Sequence, residues 1–327
     1  MFNLGVMELD LEREADEIAA GLRSAVHDRL RSRGLVVAVS GGIDSTVTCA
    51  LAVRALGPAR VLALLMPERH SHSNSTRRGL MLADSLKVNH VIEDIAPALE
   101  AIGCYRRYDD AVRRAVPEYG PGWKSKLVLP GDLLDSDRVN VSRLVVSAPD
   151  GTESTVRIAA DVYLELVAAT NFKQRIRKNL EYFHADRLRY AVAGTPNRLE
   201  YDQGFFVKNG DGAADVKPIA HLYKTQVYAM ARHLGLPDEL CTAEPTTDTF
   251  SLPQTQTEFY FALPYRQMDL LLWARNHQVP AGEAAGVLGL TEIQVERVYR
   301  DIERKRATTA PLHLPPVLVK PVEPAVI

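Results

Sequence analysis

Three cysteines in 327 residues, Cys49, Cys104 and Cys241, are too few and too far apart for a disulfide framework or a zinc ligand set. An odd, scattered set of thiols suits a reducing compartment, and all three are expected to be buried and inert. Long apolar runs are missing: nowhere do about 18 apolar residues follow one another, so no helical membrane span is expected. The stretch from Met1 to Arg33 is rich in Glu, Asp and Arg and has no apolar centre. It does not read as a secretion signal, and a cytoplasmic location is the expectation. Net charge is also scarce. With 39 Lys+Arg against 41 Asp+Glu the formal charge is −2, so no global field draws the chain to nucleic acid or to an anionic membrane. Any polyanion must be held by a local site. Aromatic residues make up 7% and are not interleaved with a basic stripe, which argues against nucleic acid as a partner. What the chain does have is 46% hydrophobic composition, enough to bury a core as one large domain.

The order of elements is that of an α/β protein. Leu11, Ala15, Ile18, Leu22, Val26 and Leu30 recur at helical spacing through Leu9 to Arg31, predicting an amphipathic helix that packs on the core or on a second subunit. Leu35 to Val39 is a short continuous apolar run, as for a central parallel strand covered on both faces, and Ile43 to Leu56 reads as the next helix. Arg60 to Leu65 and Asn89 to Ile95 read as further strands flanking a helix from Thr76 to Leu86. A long helix from Asp161 to Arg189 precedes the strand Tyr190 to Ala193, and Lys224 to Leu234, Phe259 to Arg275 and Thr291 to Lys305 follow as helices. Strands alternating with helices predict βαβ units and a parallel sheet. Between residues 117 and 160 the pattern changes. Val139 to Ser147 and Glu153 to Ala159 alternate in polarity around Pro149-Asp150-Gly151-Thr152, which predicts an inserted β-hairpin. Residues 1–309 are therefore read as one domain carrying this insertion. Residues 310–327, with Pro311, Pro315, Pro316, Pro321 and Pro324, are read as an extended tail.

The strongest local signal is Ser40-Gly41-Gly42-Ile43-Asp44-Ser45, at the junction of a buried strand and a helix. Small residues let backbone N–H groups approach a phosphate, the helix N-terminus adds partial positive charge, and the two hydroxyls can donate. Asp44 in such a nest would repel phosphate unless a divalent cation lay between them, which points to magnesium. The loop fits neither the Walker pattern nor Gly-x-Gly-x-x-Gly.

This loop resembles the hallmark of the N-type ATP pyrophosphatases, a superfamily that includes NAD, GMP, asparagine and argininosuccinate synthetases, and the resemblance implies an α/β fold with a doubly wound parallel sheet and helices on both faces, of the adenine nucleotide alpha hydrolase-like kind. The resemblance implies ATP as cosubstrate and transfer of AMP to a carboxylate or carbonyl before a nitrogen nucleophile displaces it. A second segment narrows the family. Gly194-Thr195-Pro196-Asn197-Arg198-Leu199-Glu200, then Gly204-Phe205-Phe206-Val207-Lys208-Asn209-Gly210-Asp211-Gly212, then Asp215 and Lys224-Thr225-Gln226 are similar to the signature of the ammonia-dependent NAD synthetases. By that resemblance Asp44 and Glu200 hold the metal, and Asp44, Glu200 and Lys224 carry the chemistry. Ser40, Gly41, Gly42, Asp44, Ser45, Met66, Thr195, Lys224 and Thr246 would bind ATP, and Arg175, Phe205, Lys208, Asp215, Arg304 and Lys305 would bind deamido-NAD. Glu200 also sits just beyond the end of a strand, where open α/β sheets place ligands. The implied reaction adenylates deamido-NAD and lets ammonia displace AMP to give NAD. The implied assembly is a homodimer, with ammonia taken up free or from a separate glutaminase.

The pattern departs in one place beside the expected reaction centre. Where the family carries acidic groups this chain has Thr257 and Tyr260, and Arg304-Lys305 stands for a His-Lys pair. These changes and the hairpin leave open a second reading, an adenylate-forming amide synthetase for a different carboxylic acid. A nucleotide-binding regulatory protein without turnover is a third, opposed by the presence of Asp44, Glu200 and Lys224.

Overall fold

The structure, a computed structural model, describes residues 2–129, 133–134, 142–243, 249–254, 260–261 and 263–323. Helix α1 (Leu11–Ser24) begins where the Asp10 carboxylate accepts from the Arg13 amide at 3.1 Å, an N-cap that satisfies one of the open amides of the first turn. It buries Ala15, Ile18, Ala19 and Leu22, then widens into a π-type turn over Ala25–Arg29. The stretch expected to run as one helix to Arg31 thus closes earlier, and Leu30 is exposed. Strand β1 (Leu35–Ala38), α2 (Ile43–Leu56), β2 (Val61–Leu65), α3 (Ser73–Leu86) and β3 (Asn89–Ile92) alternate as predicted. Helices α4 (Ala96–Ala101) and α5 (Cys104–Ala115) lead to strands β4 (Lys124–Val128), β5 (Arg143–Ser147) and β6 (Glu153–Arg157). Then come α6 (Ala160–Leu188), β7 (Ala191–Ala193), α7 (Arg198–Gln203), α8 (Lys224–His233), α9 (Asp238–Cys241), α10 (Tyr265–Asn276), α11 (Ala281–Leu288) and α12 (Glu292–His313).

The central sheet has the order β3-β2-β1-β7, all parallel. Alternate side chains of each strand point to opposite faces, and both faces are dry. Leu35, Val37, Ala63, Leu65 and Ala193 pack under α1, α2 and α8, while Val36, Leu62, Leu64 and Val192 pack under α4, α5 and α6. The apolar stripe of α1 is therefore used inside its own chain. The chain lays down β1, β2 and β3 in one direction and then returns to place β7 on the other side of β1. That reversal opens a crevice between the loops that follow β1 and β7, the place where doubly wound sheets bind ligands.

The inserted region is larger than a hairpin. β5 and β6 pair antiparallel about the Asp150-Gly151 turn, Ser147 opposite Glu153, as the polarity pattern predicts, although β6 stops at Arg157 short of the expected Ala159, and residues 139–141 of the other expected strand lie outside the described residues. β4 adds a third strand on the other side of β5, and the sheet packs its Leu127, Leu144 and Val146 on Tyr108, Val112, Val162 and Leu166 of α5 and α6. In Lys124–Val128 two of the alternating outward positions are lysines and the run is short, so the sequence signal for a strand is weak. Helix boundaries near the C-terminus also move. α10 begins at Tyr265 with Pro264 as its N-cap, a proline that keeps the residue before it out of helical backbone, and the expected start at Phe259 lies outside the described residues. α12 runs through Pro311 to His313, so the first residues of the expected extended tail are helical. Pro311 removes only the bond to the carbonyl of Ala307, an exposed residue that water can serve, and it falls in the last turn, so the helix tolerates it.

Burial differs sharply along one sheet. Leu64 is fully buried and Ile92 at the edge is 48% exposed. Leu64→Ala is expected to lower unfolding free energy by about 2–5 kcal/mol, and Ile92→Ala by less than about 0.5 kcal/mol. Urea unfolding of the two variants checks this, and equal losses would contradict the assigned topology.

Candidate active site

The loop after β1 is shaped by its own small residues. Gly41 has φ +78°, and a Cβ there would lie 2.5 Å from the carbonyl oxygen of Ser75 in the first turn of α3, so only glycine fits. The Ser45 hydroxyl donates to the Gly42 carbonyl at 3.0 Å and accepts from the Ser40 amide at 3.2 Å, while the Ser40 hydroxyl accepts from the Gly42 amide at 3.3 Å. The two hydroxyls, expected to be donors to a phosphate, thus first brace the loop. What the loop offers outward is the N-terminus of α2, capped by Gly42 with no side chain in the way.

Across the crevice, the chain after β7 meets this loop through Asn197. Its amide donates to Asp44 Oδ1 at 2.9 Å, and its Oδ1 accepts from the amides of Leu199 and Glu200 at 2.9 and 3.3 Å. Glu200 returns a carboxylate oxygen to the Asn197 amide at 3.2 Å, completing a capping box at the start of α7. One buried asparagine therefore fixes both candidate metal carboxylates. Lys224, the first residue of α8, is fully buried, and its ammonium donates to Asp44 Oδ2 while lying 5.4 Å from the Tyr265 ring centre. Burial alone would drive the proton off Lys224, but the carboxylates of Asp44 and Glu200 outweigh it and hold the ammonium above its ordinary range.

Lys224 is itself held from behind. Asp269 on α10, with no exposure, accepts from the Lys224 amide at 3.3 Å and from the Thr225 amide and hydroxyl at 2.7 Å each. A carboxylate from another helix thus caps α8 and complements its N-terminal partial charge. Burial raises the Asp269 carboxyl from 3.8 to about 6 even though these hydrogen bonds oppose the rise. Asn197 and Asp269 were not singled out as functional by sequence reasoning. Asn197 stood inside the recognised motif, whereas Asp269 had no local signal, because its partners lie some forty-five positions away.

The residues expected to bind a dinucleotide are partly brought together. Arg175 on α6 donates to the Lys208 carbonyl at 3.3 Å, and the Lys208 ammonium donates to the Pro311 carbonyl at 3.0 Å. Phe205 stacks on Tyr260 with centroids 4.6 Å apart, and Lys305 lies 4.6 Å over the Tyr260 ring while donating to the Tyr260 carbonyl at 2.7 Å. Arg304 does not join them. Neighbours on a helix point about 100° apart, so it is exposed where Lys305 is turned inward. Asp215, an exposed residue, also braces the fold: its carboxylate accepts from the Val192 amide at 2.7 Å and from the Tyr182 hydroxyl at 3.3 Å, covering an open backbone donor of the edge strand β7. Met66 is buried in the apolar cluster beneath the sheet, with its carbonyl accepting from Arg177 at 3.2 Å, and Thr195 is half-buried at the end of β7. Thr246 and Thr257 lie outside the described residues. All three cysteines are buried, and burial pushes the Cys49 thiol up to about 12. An open depression of about 510 Å³, lined by His27, Arg33, Arg60 and Tyr190, is at the opposite end of the strands from this crevice.

The sequence model described as NAD synthase matches residues 14–115 and 139–308. A protein of Rhizobium meliloti named NH(3)-dependent NAD(+) synthetase is 56% identical over 323 residues, 99% of this chain and 96% of its own length. Two solved structures share the fold: an NMN synthetase from Francisella tularensis (TM-score 0.63, 20% identity, 96% of this chain and 99% of that one), and an NH3-dependent NAD synthetase from Campylobacter jejuni (0.62, 21%, 95% and 100%).

Asp269 makes a pH-dependent contribution whose sign follows from its raised value. Between 3.8 and about 6 the folded state keeps a proton that the unfolded state has released, so stability falls as pH rises through that window. Urea unfolding of the native protein and of Asp269→Asn across the window should show the native protein losing stability relative to the variant. Parallel curves would contradict the placement of Asp269.

Proposed function

The chain belongs to the NAD synthase family, and on that premise we propose how the residues of the crevice carry out the ATP-dependent amidation of deamido-NAD with ammonia. The observation that carries the reading is the Asp44, Asn197, Glu200 and Lys224 constellation at the switch point of the sheet. ATP lays its phosphates on the amides at the N-terminus of α2. The nicotinate carboxylate oxygen attacks the α-phosphorus, the bond from that phosphorus to the bridging oxygen breaks, and pyrophosphate leaves with the electron pair. Lys224 neutralises the charge that gathers on the departing group from a fixed position that needs no rearrangement. The ammonia lone pair then attacks the acyl carbon, the carbon–oxygen bond to AMP breaks, and the nitrogen loses a proton to solvent. The anhydride supplies the leaving group, so no covalent enzyme nucleophile is required and most of the catalysis is positioning.

The donor set suits magnesium carried in with ATP. Among the described residues there is no group of three or more His, Cys, Asp or Glu side chains ready to cage a metal. Two carboxylates with the balance of ligands from phosphates is the arrangement magnesium favours, and Asp44 and Glu200 would hold it there. When bound it supplies charge neutralisation on the phosphates. Arg175, Lys208 and Lys305 are proposed to receive the pyrophosphate bridge and carboxylate of deamido-NAD, with the stacked pair of Phe205 and Tyr260 as an aromatic wall. A homodimer is part of the proposal. Since α1 is spent on its own core, the contact between subunits must use another face. Nitrogen is proposed to come from free ammonia or a separate glutaminase, and the protein to work in the cytoplasm; no described helix is long and apolar enough to cross a membrane.

Incubating the protein with ATP, magnesium, ammonium and deamido-NAD should yield AMP and NAD in equal amounts. Asp44→Asn, which keeps the shape but not the charge, is expected to lower kcat by a factor on the order of 10²–10³. AMP release triggered only by other carboxylic acids would move the acceptor, and binding of ATP with no pyrophosphate release would favour a regulatory protein.

A further inference from the structure

Lys173 lies in the middle of α6, a position where a lysine would ordinarily face water, yet it is 3% exposed. All three of its donors are engaged: Glu68 Oε1 at 2.8 Å, the Thr249 carbonyl at 2.7 Å and His70 Nδ1 at 3.0 Å. Glu68 is just as closed, with its second oxygen accepting from the Tyr105 hydroxyl at 2.8 Å and its amide donating to the Ser71 hydroxyl at 3.0 Å. Desolvation and the nearby Lys173 depress the His70 imidazole to about 4, so the ring is neutral and Nδ1 is free to accept. A buried ion pair of this kind is a poor source of net stability compared with apolar packing, which raises the question of what it specifies.

The contacts it makes give the answer. Glu68, His70 and Ser71 form the loop that leaves the C-terminal end of β2, next to the strand whose own loop cradles phosphate. That loop ends at His72, which caps α3 by accepting from the Asn74 amide at 3.2 Å. One turn on, the Ser75 carbonyl is the group against which Gly41 is packed too closely to bear a side chain. Lys173 therefore anchors one end of a short rigid path whose other end is the wall of the phosphate loop, and by the Thr249 carbonyl it fastens a second segment to the same point.

The geometry points to Lys173 as a positioning residue for ATP: it holds the loop Glu68–His72 and, through α3, the backbone of Gly41 in the conformation that receives the phosphates. This deepens the proposed function, since it assigns a residue to the ATP side of the same site. The role is separable from stability. Lys173→Met alone strands a buried carboxylate and is expected to be strongly destabilised, whereas Lys173→Met with Glu68→Leu removes both charges and should recover most of the melting temperature.

The test measures the ATP dissociation constant of the double variant in the absence of any acceptor, together with its melting temperature and, with deamido-NAD and ammonia, kcat at saturating ATP. A double variant that melts within a few degrees of the native protein but binds ATP roughly tenfold more weakly, with kcat at saturating ATP reduced less than about threefold, is the expected result. Native ATP affinity in the stable double variant overturns the proposal. Should the double variant fail to fold, Tyr105→Phe, which keeps the ion pair and removes one bond to Glu68, decides in the same way. Weakened ATP binding at a native melting temperature supports the role, and unchanged binding overturns it. Because ATP affinity is read without acceptor, a wrong acceptor assignment would show as missing turnover in the native protein and leave this test intact.

Discussion

An ammonium with no exposure to water is tolerable only where its charge is met, and at Lys224 it is met by Asp44, with Glu200 adding to the field. Removing one partner of such a pair typically costs about 3–5 kcal/mol, because the other charge is left buried and alone. The fold therefore has to bring the start of α8 and the start of α2 together, although they are far apart in sequence. Once it does, the remaining pieces are constrained. Asn197 can bridge to Asp44 only if the loop after β7 lies across from the loop after β1, and Asp269 can cap α8 only if α10 stands behind it.

The parallel sheet satisfies these demands at its point of reversal. β1 lies between β2 and β7, so its C-terminal loop has a neighbour on either side: the β2 loop with Glu68 and His70, and the β7 loop with Asn197 and Glu200. The first contributes a wall and the second a carboxylate. On the side expected to take the acceptor, the neutral replacement Tyr260 has definite partners. Tyr260 donates to the Gln203 carbonyl at 2.7 Å, stacks on Phe205 and lies beneath the Lys305 ammonium. An aromatic ring beneath a cation partly compensates for a carboxylate that is no longer there, and Asp301 at 2.8 Å supplies the counter-charge for Lys305.

What could be read from the sequence was whatever is local. The β–α alternation, the turn at Ser40 to Gly42, the Asn197 to Glu200 motif and the turn at Asp150-Gly151 depend on residues close together along the chain, so their pattern is visible before folding. β4 was missed because its lysine-rich alternation resembles a loop, and the last turn of α12 because proline is counted as a breaker although only one solvent-facing bond is lost there. Lys173 and Asp269 were illegible for a different reason: each looks like an ordinary charged helix residue, and only tertiary packing removes it from water. Asp215 was legible as part of a motif, but its bond to the backbone of β7 was not, because that partner lies 23 positions away.

Asp44 and Glu200, joined by Asn197 and balanced by Lys224, are proposed as the place where phosphate and divalent cation meet. Anomalous diffraction from crystals grown with manganese and a non-hydrolysable ATP analogue tests this most directly. The expected result is one manganese peak within coordination distance of Asp44, Glu200 and the analogue's phosphates, with those phosphates at the N-terminus of α2. A peak elsewhere, or phosphates away from Gly41 and Gly42, would contradict it.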